Sequence, residues 1–350
     1  MTSDLLNKIE SIISRNPQAN DRDILLQLRQ LLTETELQYN VGIDAKSITD
    51  LVTENIQQFK GDSYQDTHIT SGFAELDKLI GGFRLGEFVV VGGRPSIGKT
   101  QFLINLSLHI SETIPTLYAT LDLSEFLLTN RFISSVSEIP TQNILQHDLD
   151  EEQKNKLLAI GDAFTKRKLF IHDTGNSFIE SLKALIQKQI QENGIQVIFV
   201  DYLQLISSCH HRKSRETEVS HICRELKNLA KEKNVCLIAA SQLSRAVELR
   251  GGVESKRPIL SDLRESGAIE QDADKVLFVH CPEYYGVKED AFGNSLINLA
   301  EIIVAKNRNG RLGSIYLCKD KDFTNFRTHI VKDDFTFSAN RLLEFGDMNF

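Results

Sequence analysis

The eight residues Gly93-Arg94-Pro95-Ser96-Ile97-Gly98-Lys99-Thr100 constrain this chain more than any other stretch. They spell G-x-x-x-x-G-K-[ST] without a gap, behind the apolar run Phe88-Val89-Val90-Val91 and ahead of Phe102, Leu103, Leu106 and Ile110, which recur at helical spacing. The order strand, glycine loop, helix is the context in which this pattern acts as an anion cradle. Gly93 and Gly98 let the backbone turn tightly, so that N–H groups and the positive end of the following helix point at a di- or triphosphate. Lys99 reaches the β- and γ-phosphate oxygens, and the Thr100 hydroxyl holds a magnesium ion. ATP and Mg2+ are therefore the expected cofactors.

With 350 residues the chain holds one large domain or two. Apolar residues make up 41% and charged residues 25%, the balance of a soluble, core-forming protein. Apolar runs fall well short of the roughly 18–20 residues of a membrane span, and the start Met1-Thr2-Ser3-Asp4-Leu5-Leu6-Asn7-Lys8 lacks a basic, long apolar leader. A cytoplasmic protein without membrane contact is expected. Its five cysteines, an odd number without a C-x-x-C pair, suit reduced thiols. Cys209-His210-His211 and His221-Ile222-Cys223 are offset by 12 residues, which matches no common zinc spacing. A net charge of −8 excludes a protein that coats nucleic acid with its whole surface, but not one with a basic channel.

Residues 1–60 read as a small helical region. Leu5, Ile9, Ile12 and Ile13 form one stripe, Ile24, Leu25, Leu28, Leu31 and Leu32 a second, and Ile48, Leu51, Val52 and Ile56 a third that starts after Ser47. Such stripes are too short for an independent core and predict oligomerisation or partner docking. Residues 61–68 are polar and read as a linker. From Ile69 onward strands and helices alternate, which predicts a mainly parallel sheet covered on both faces. Strands are expected at Phe88–Val91, Thr116–Leu121, Leu169–Ile171, Val197–Val200, Cys236–Ala240, Val276–Val279, Ile302–Ala305 and Ile315–Cys318.

Three further stretches bear on function. Val197-Ile198-Phe199-Val200-Asp201 is an apolar strand ending in a carboxylate about 100 residues after the glycine loop, where an aspartate orients magnesium. Leu237-Ile238-Ala239-Ala240-Ser241-Gln242 ends a buried strand in polar groups, and ligands gather at such carboxyl ends; Gln242 is placed to sense a terminal phosphate, with an N-cap and a surface amide as the plainer reading. Finally, Asp262-Leu263-Arg264-Glu265-Ser266-Gly267 suits a phosphodiester, and Lys306-Asn307-Arg308 aims two cations to one side of a strand end; solvated charge is the plainer reading of each.

Together these residues resemble the C-terminal, RecA-like motor of DnaB-type replicative DNA helicases. The resemblance rests on Thr70-Ser71-Gly72-Phe73, Leu76-Asp77-Lys78-Leu79, Gly81-Gly82-Phe83, Gly93–Thr100, Val200-Asp201-Tyr202-Leu203-Gln204-Leu205-Ile206, Ser241–Arg245, Leu260–Asp274 and Ala305–Gly310, and covers about residues 69–328. It implies an α/β, RecA-like P-loop NTPase core that forms a homo-oligomeric, hexameric ring, binds ATP between subunits, and moves along single-stranded DNA to unwind duplex during replication. Lys99, Thr100, Asp201 and Gln242 then serve ATP from one side, with Thr100 and Asp201 on the metal. Lys306 and Arg308 reach into the next subunit's site, and Arg264, Glu265 and Gly267 grip the strand in the channel. A primase or helicase loader is the implied partner.

The sequence departs from the family in two places. Where the family has Ser-Leu-Glu-Met-Ser, this chain has Thr120-Leu121-Asp122-Leu123-Ser124, so Asp122 is the expected base on the attacking water, one methylene short, with Glu125 as its substitute. Only about 60 residues precede the motor, fewer than the family's helical N-terminal domain, although residues 47–59 fit its linker helix. In the tail, residues 329–350, Phe335, Phe337, Leu342, Leu343 and Phe345 suggest packing or a partner dock, with packing the safer reading. Two alternatives remain open: an ATP-switched DNA-binding assembly or defence factor that unwinds nothing, and a RecA, RadA or KaiC-like ATPase.

Overall fold

Long apolar runs punctuated by polar turns become strands buried on both faces, and they set the architecture. The computed structural model describes residues 8–12, 14, 24, 27–28, 31, 47–58, 68–175, 178–209, 214–252, 254–263, 267–290, 292–320, 322 and 324–329. The remaining parts of the first two stripes, residues 59–67, His210, His211, Arg264, Glu265 and the tail from 330 onward lie outside the described residues. The chain divides into two units, Met1–Asp66 and Thr67–Phe350.

In the first unit, α1 (Ile48–Gln58) begins where the Ser47 hydroxyl accepts from the Asp50 amide at 3.1 Å, supplying one of the bonds that the first helical turn lacks. Ile48, Val52 and Ile56 repeat every four residues and are 74%, 46% and 48% exposed.

The second unit is built on a nine-stranded sheet. Its strands are β1 (Phe88–Gly93), β2 (Thr116–Thr120), β3 (Leu169–Asp173), β4 (Val197–Asp201), β5 (Cys236–Gln242), β6 (Lys275–His280), β7 (Leu299–Asn307), β8 (Gly313–Lys319) and β9 (Phe326–Thr328). They lie in the order β3-β2-β4-β5-β1-β6-β7-β8-β9. Pairing is parallel from β3 to β6 and antiparallel from β6 to β9. Every residue of β1, β2, β4 and β6 is buried, as expected for strands covered on both faces. All eight strands expected from the sequence are present. The ninth, β9, has one apolar residue, Phe326, whose ring packs edge-on against Phe102 at 5.9 Å between centroids.

On one face, α2 (Ala74–Ile80), α3 (Lys99–Ile110) and α4 (Glu125–Ser137) cover a core that includes Leu76, Phe102, Leu106, Phe132 and Phe199. Three short helices follow at the periphery, α5 (Thr141–Gln146), α6 (Glu151–Ala159) and α7 (Gly161–Thr165). On the other face, α8 (Ile179–Asn193) and α9 (Arg215–Lys233) cover Ile186, Val200, Leu226 and Leu237, and a short α10 (Gly267–Asp272) precedes β6. Ser124 and Ser214 cap α4 and α9 by accepting from the Leu127 and Thr217 amides, which fixes where each helix starts.

At the end of the sheet where β1 begins, Lys275 is 1% exposed and donates to both carboxylate oxygens of Glu87 at 2.5 Å. Breaking such a pair leaves an uncompensated charge in a region of low dielectric. We expect Glu87→Ala to lower unfolding stability by about 3–5 kcal/mol, read from denaturant midpoints; a loss below about 1 kcal/mol, the scale of a surface pair, would show that Lys275 reaches water.

Candidate functional site

The glycine loop adopts the conformation its composition allows. Gly98, the residue before α3, has φ 93°, and Ser96 has φ 63°, so the loop alternates through left-handed backbone in the manner of an anion-binding nest. At Gly93 a Cβ would stand 3.0 Å from Lys99 Cγ and 3.1 Å from the Val279 carbonyl, which leaves no room for a side chain. The Lys99 ammonium donates to the Arg94 carbonyl at 2.8 Å. Burial pushes its pKa down to about 8, opposed by the negative charge of Asp201.

Asp201 ends β4 at 6% exposure. The Tyr118 hydroxyl donates to its Oδ2 at 3.0 Å, and Thr100 also hydrogen-bonds the carboxylate. Burial nonetheless raises its pKa, against the pull of those hydroxyls and of Lys99. A carboxylate held in a dry place beside a hydroxyl is a donor set that suits a hard divalent cation such as Mg2+.

These groups open on a cleft of about 770 Å3, lined by Ser96, Gly98, Lys99, Thr100, Asp122, Asp201 and Gln242 among others. Asp122 is exposed to it. Glu125, the substitute base, does not line the cleft; it sits in the first turn of α4 and accepts from the Asp173 amide at 3.2 Å, at the end of β3. Arg94 also turns away. Its side chain is buried and donates to the Leu243 carbonyl at 2.7 Å and to Glu248 at 2.7 and 2.9 Å, so only its backbone belongs to the loop.

Sequence reasoning gave no role to Gln204. It lies in the 3-10 turn Leu203–Leu205, accepts from the Gln242 amide at 3.1 Å, and donates to Ser241 Oγ at 3.0 Å and the Gln242 carbonyl at 3.2 Å. It thereby ties the end of β4 to the end of β5. Arg131 and Asp322 also line the cleft without having been singled out.

Lys306 and Arg308 lie elsewhere. Val276 pairs with both Val90 and Lys306, so Lys306 sits level with Val90, two strands away from β1 and three residues short of Gly93. Lys306 donates to the carbonyls of Glu270 and Gln271. Arg308 donates to the Gln271 carbonyl at 2.6 Å and pairs with Asp274 at 3.5 Å. Both cations therefore sit at the end of the sheet where the parallel strands begin, opposite the glycine loop. Gly267 opens α10, the helix that ends on these cations.

A doubly covered, mainly parallel sheet with a glycine loop after its central strand, a buried acid at the end of a nearby parallel strand and a polar cleft between them defines a RecA-like, phosphate-loop domain. The family described as "DnaB-like helicase C terminal domain" matches residues 68–328, and the chain belongs to that family. It is 36% identical to the replicative DNA helicase DnaB of Rickettsia conorii, over 81% of this chain and 63% of that protein. Against the replicative DNA helicase DnaC of Bacillus subtilis it is 35% identical, over 87% of this chain and 66% of the relative. The chain thus spans just under two thirds of the length of these relatives. Among solved structures, an isolated ATPase domain superposes with a TM-score of 0.74 at 31% identity, covering 82% of this chain and all of that one. A DnaB-like replicative helicase, described with its interactions with primase, gives 0.76 at 29% identity, covering 94% and 76%.

The lowered pKa of Lys99 has a testable sign. A bound polyphosphate favours the ammonium, so binding above the free-site pKa of about 8 must take up a proton. We expect ATP affinity to be flat below pH 8 and to fall about tenfold per unit above it, with matching proton uptake in calorimetry across two buffers. Affinity that stays constant from pH 7 to 9 would show that Lys99 titrates higher.

Proposed function

We propose that this chain is an ATP-driven, ring-forming DNA helicase motor of the DnaB type, acting on single-stranded DNA in replication. The observation that carries the reading is the convergence of Lys99, Thr100, Asp122, Asp201 and Gln242 on one cleft at the carboxyl ends of adjacent strands. Membership of the DnaB-like helicase C-terminal family supports the same reading.

In this reading the loop backbone from Gly93 to Thr100 cradles the phosphates. Thr100 and Asp201 would hold Mg2+, which supplies positive charge to the phosphate oxygens. Lys99 stabilises charge on the β- and γ-oxygens, where preorganised donors act most strongly. Asp122 takes a proton from the attacking water as its oxygen bonds to the γ-phosphorus and the bond to the β-phosphate oxygen breaks. Gln242, held by Gln204, reports the state of the terminal phosphate. Lys306 and Arg308 complete the site of a neighbouring copy, since they stand at the opposite end of their own sheet.

The same reading assigns residues 69–328 to the motor, with 1–60 as a helical appendage, 61–68 as linker and 329–350 as a tail. Within the appendage, the exposed stripe of α1 suits the linker helix docking on a neighbouring copy. Arg264, Glu265 and Gly267 hold the strand by its backbone, six copies form the ring, and a primase or loader is the partner class. A cytoplasmic setting goes with such a motor. No helix among the described residues is long and apolar enough to cross a membrane.

A second reading, a slow ATP-gated DNA-binding factor, draws on Asp122. A base about 1 Å out of place costs on the order of a hundredfold in rate, and Glu125 is engaged at β3. ATP turnover with and without single-stranded DNA separates the two, followed by strand release from a forked duplex. For the motor we expect DNA-stimulated turnover that Lys99→Ala abolishes and Asp122→Asn lowers by about a hundredfold or more. Tight ATP and DNA binding with negligible turnover would leave the switch. In addition, Arg308→Ala alone should lower turnover on the order of a thousandfold, and mixing it with Lys99→Ala protein should restore part of it. No recovery on mixing would mean that Arg308 does not act across a subunit boundary.

A further inference from the structure

Arg94 of the glycine loop points its side chain away from the cleft and into the rest of the domain. Its guanidinium, on a residue 4% exposed, reaches Glu248 with Nε at 2.9 Å and Nη2 at 2.7 Å, while Nη1 holds the Leu243 carbonyl. Glu248 belongs to the 3-10 turn Arg245–Leu249, which the Ser244 hydroxyl caps by accepting from the Ala246 amide at 3.2 Å. The far end of that turn is held by a second arginine. Arg250 forms a two-pronged pair with Asp262, whose carbonyl accepts from the Ser244 amide at 3.0 Å and whose carboxylate accepts from the Ile259 amide at 2.9 Å.

Residues 244–252 and 254–263 therefore belong to a segment whose two ends meet where the Ser244 amide donates to the Asp262 carbonyl. It begins two residues after Gln242 and ends one residue before Arg264. One short turn inside it is clamped from both sides, by the glycine loop through Arg94 and by the root of the strand-gripping segment through Arg250. Arg94 is also joined to the phosphate-binding lysine through its backbone. Its carbonyl receives the Lys99 ammonium, and a seated phosphate competes for that ammonium. One residue thus holds the Lys99 ammonium with its backbone and Glu248 with its side chain, which is a contiguous path between the glycine loop and the turn.

We infer that Glu248 is a positioning residue that couples occupancy of the glycine loop to the strand-gripping segment after Asp262, through the chain Lys99, Arg94, Glu248, Arg250 and Asp262. The inference rests on the motor reading for what the segment after Asp262 grips. Glu248 does not line the cleft. Its removal uncouples the two ends while leaving each able to bind.

The test uses the full chain, ATP and an oligo-dT strand, with Glu248→Gln, Arg250→Gln and the double variant. We expect basal turnover and the KM for ATP to stay within about twofold, and the ratio of DNA-stimulated to basal turnover to fall by about 2- to 30-fold, the range in which single links modulate coupling. Because both substitutions cut one path, the double variant should lose no more than the worse single one. An unchanged ratio in Glu248→Gln, or a basal rate that falls in step with the stimulated rate, overturns the inference. A second measurement does not depend on DNA. ADP should slow backbone hydrogen exchange across 244–250 several-fold in the wild type and leave it unchanged in Glu248→Gln; an identical response in both overturns the inference. A wild type whose turnover ignores oligo-dT counts against the motor reading, and the exchange experiment then still decides whether Glu248 senses the glycine loop.

Discussion

Two opposite charges held where water is scarce dominate this structure. Lys99 and Asp201 each carry a desolvation cost, which drives the lysine pKa down and the aspartate pKa up, and each relieves part of the other's cost. Lys99 donates to the Arg94 carbonyl and Asp201 accepts from Tyr118 and Thr100, and both side chains line the cleft. The sheet order makes this arrangement reachable. Strands β4, β5 and β1 are neighbours, so Asp201, Gln242 and Gly93 end three adjacent strands, about 5 Å apart across the sheet. Parallel pairing puts all three ends on the same side, which no hairpin-built sheet of that order could do.

Much of this was legible in the amino-acid sequence because strands buried on both faces cannot hide: Phe88–Val91 and Val197–Val200 are uninterrupted apolar runs. The strand β9 was not legible, since three residues cannot show alternation. It forms because Phe326 finds Phe102 and because the Phe326 amide donates to Asn105 Oδ1 at 2.9 Å. Polar groups in the site divided along similar lines. Lys99, Thr100 and Asp201 announce themselves by position within a local pattern. Gln204 acts across strands, and its partner at β5 follows from strand order, which local spacing does not encode. Arg131 and Asp322 reach the cleft from segments far apart in the chain, and no pattern in either segment points there.

Arg94 and Glu125 show how a residue type can suggest a contact that packing redirects. An arginine in a phosphate-binding loop invites an anion, yet Arg94 has an internal carboxylate and a carbonyl within reach and is buried on them. A buried guanidinium with its bonds satisfied is a strut between the glycine loop and the turn that carries Glu248. Glu125 carries the side-chain length that Asp122 lacks, but three residues of chain place it in the first turn of α4. There an acid is favoured by the helix dipole and by the Asp173 amide, which donates to it at 3.2 Å.

The position of Lys306 and Arg308 has a consequence for symmetry. If these cations complete a neighbouring copy's site, as proposed above, a domain with its cleft at one end of the sheet and its cations at the other has a front and a back. Two such domains facing each other across a two-fold axis would oppose like ends and complete neither site. Only a repeated head-to-tail contact joins each front to the next back, and such a contact has no natural end until rotation brings the last copy round to the first. For such an assembly the angle between successive copies decides between a closed circle and an open spiral.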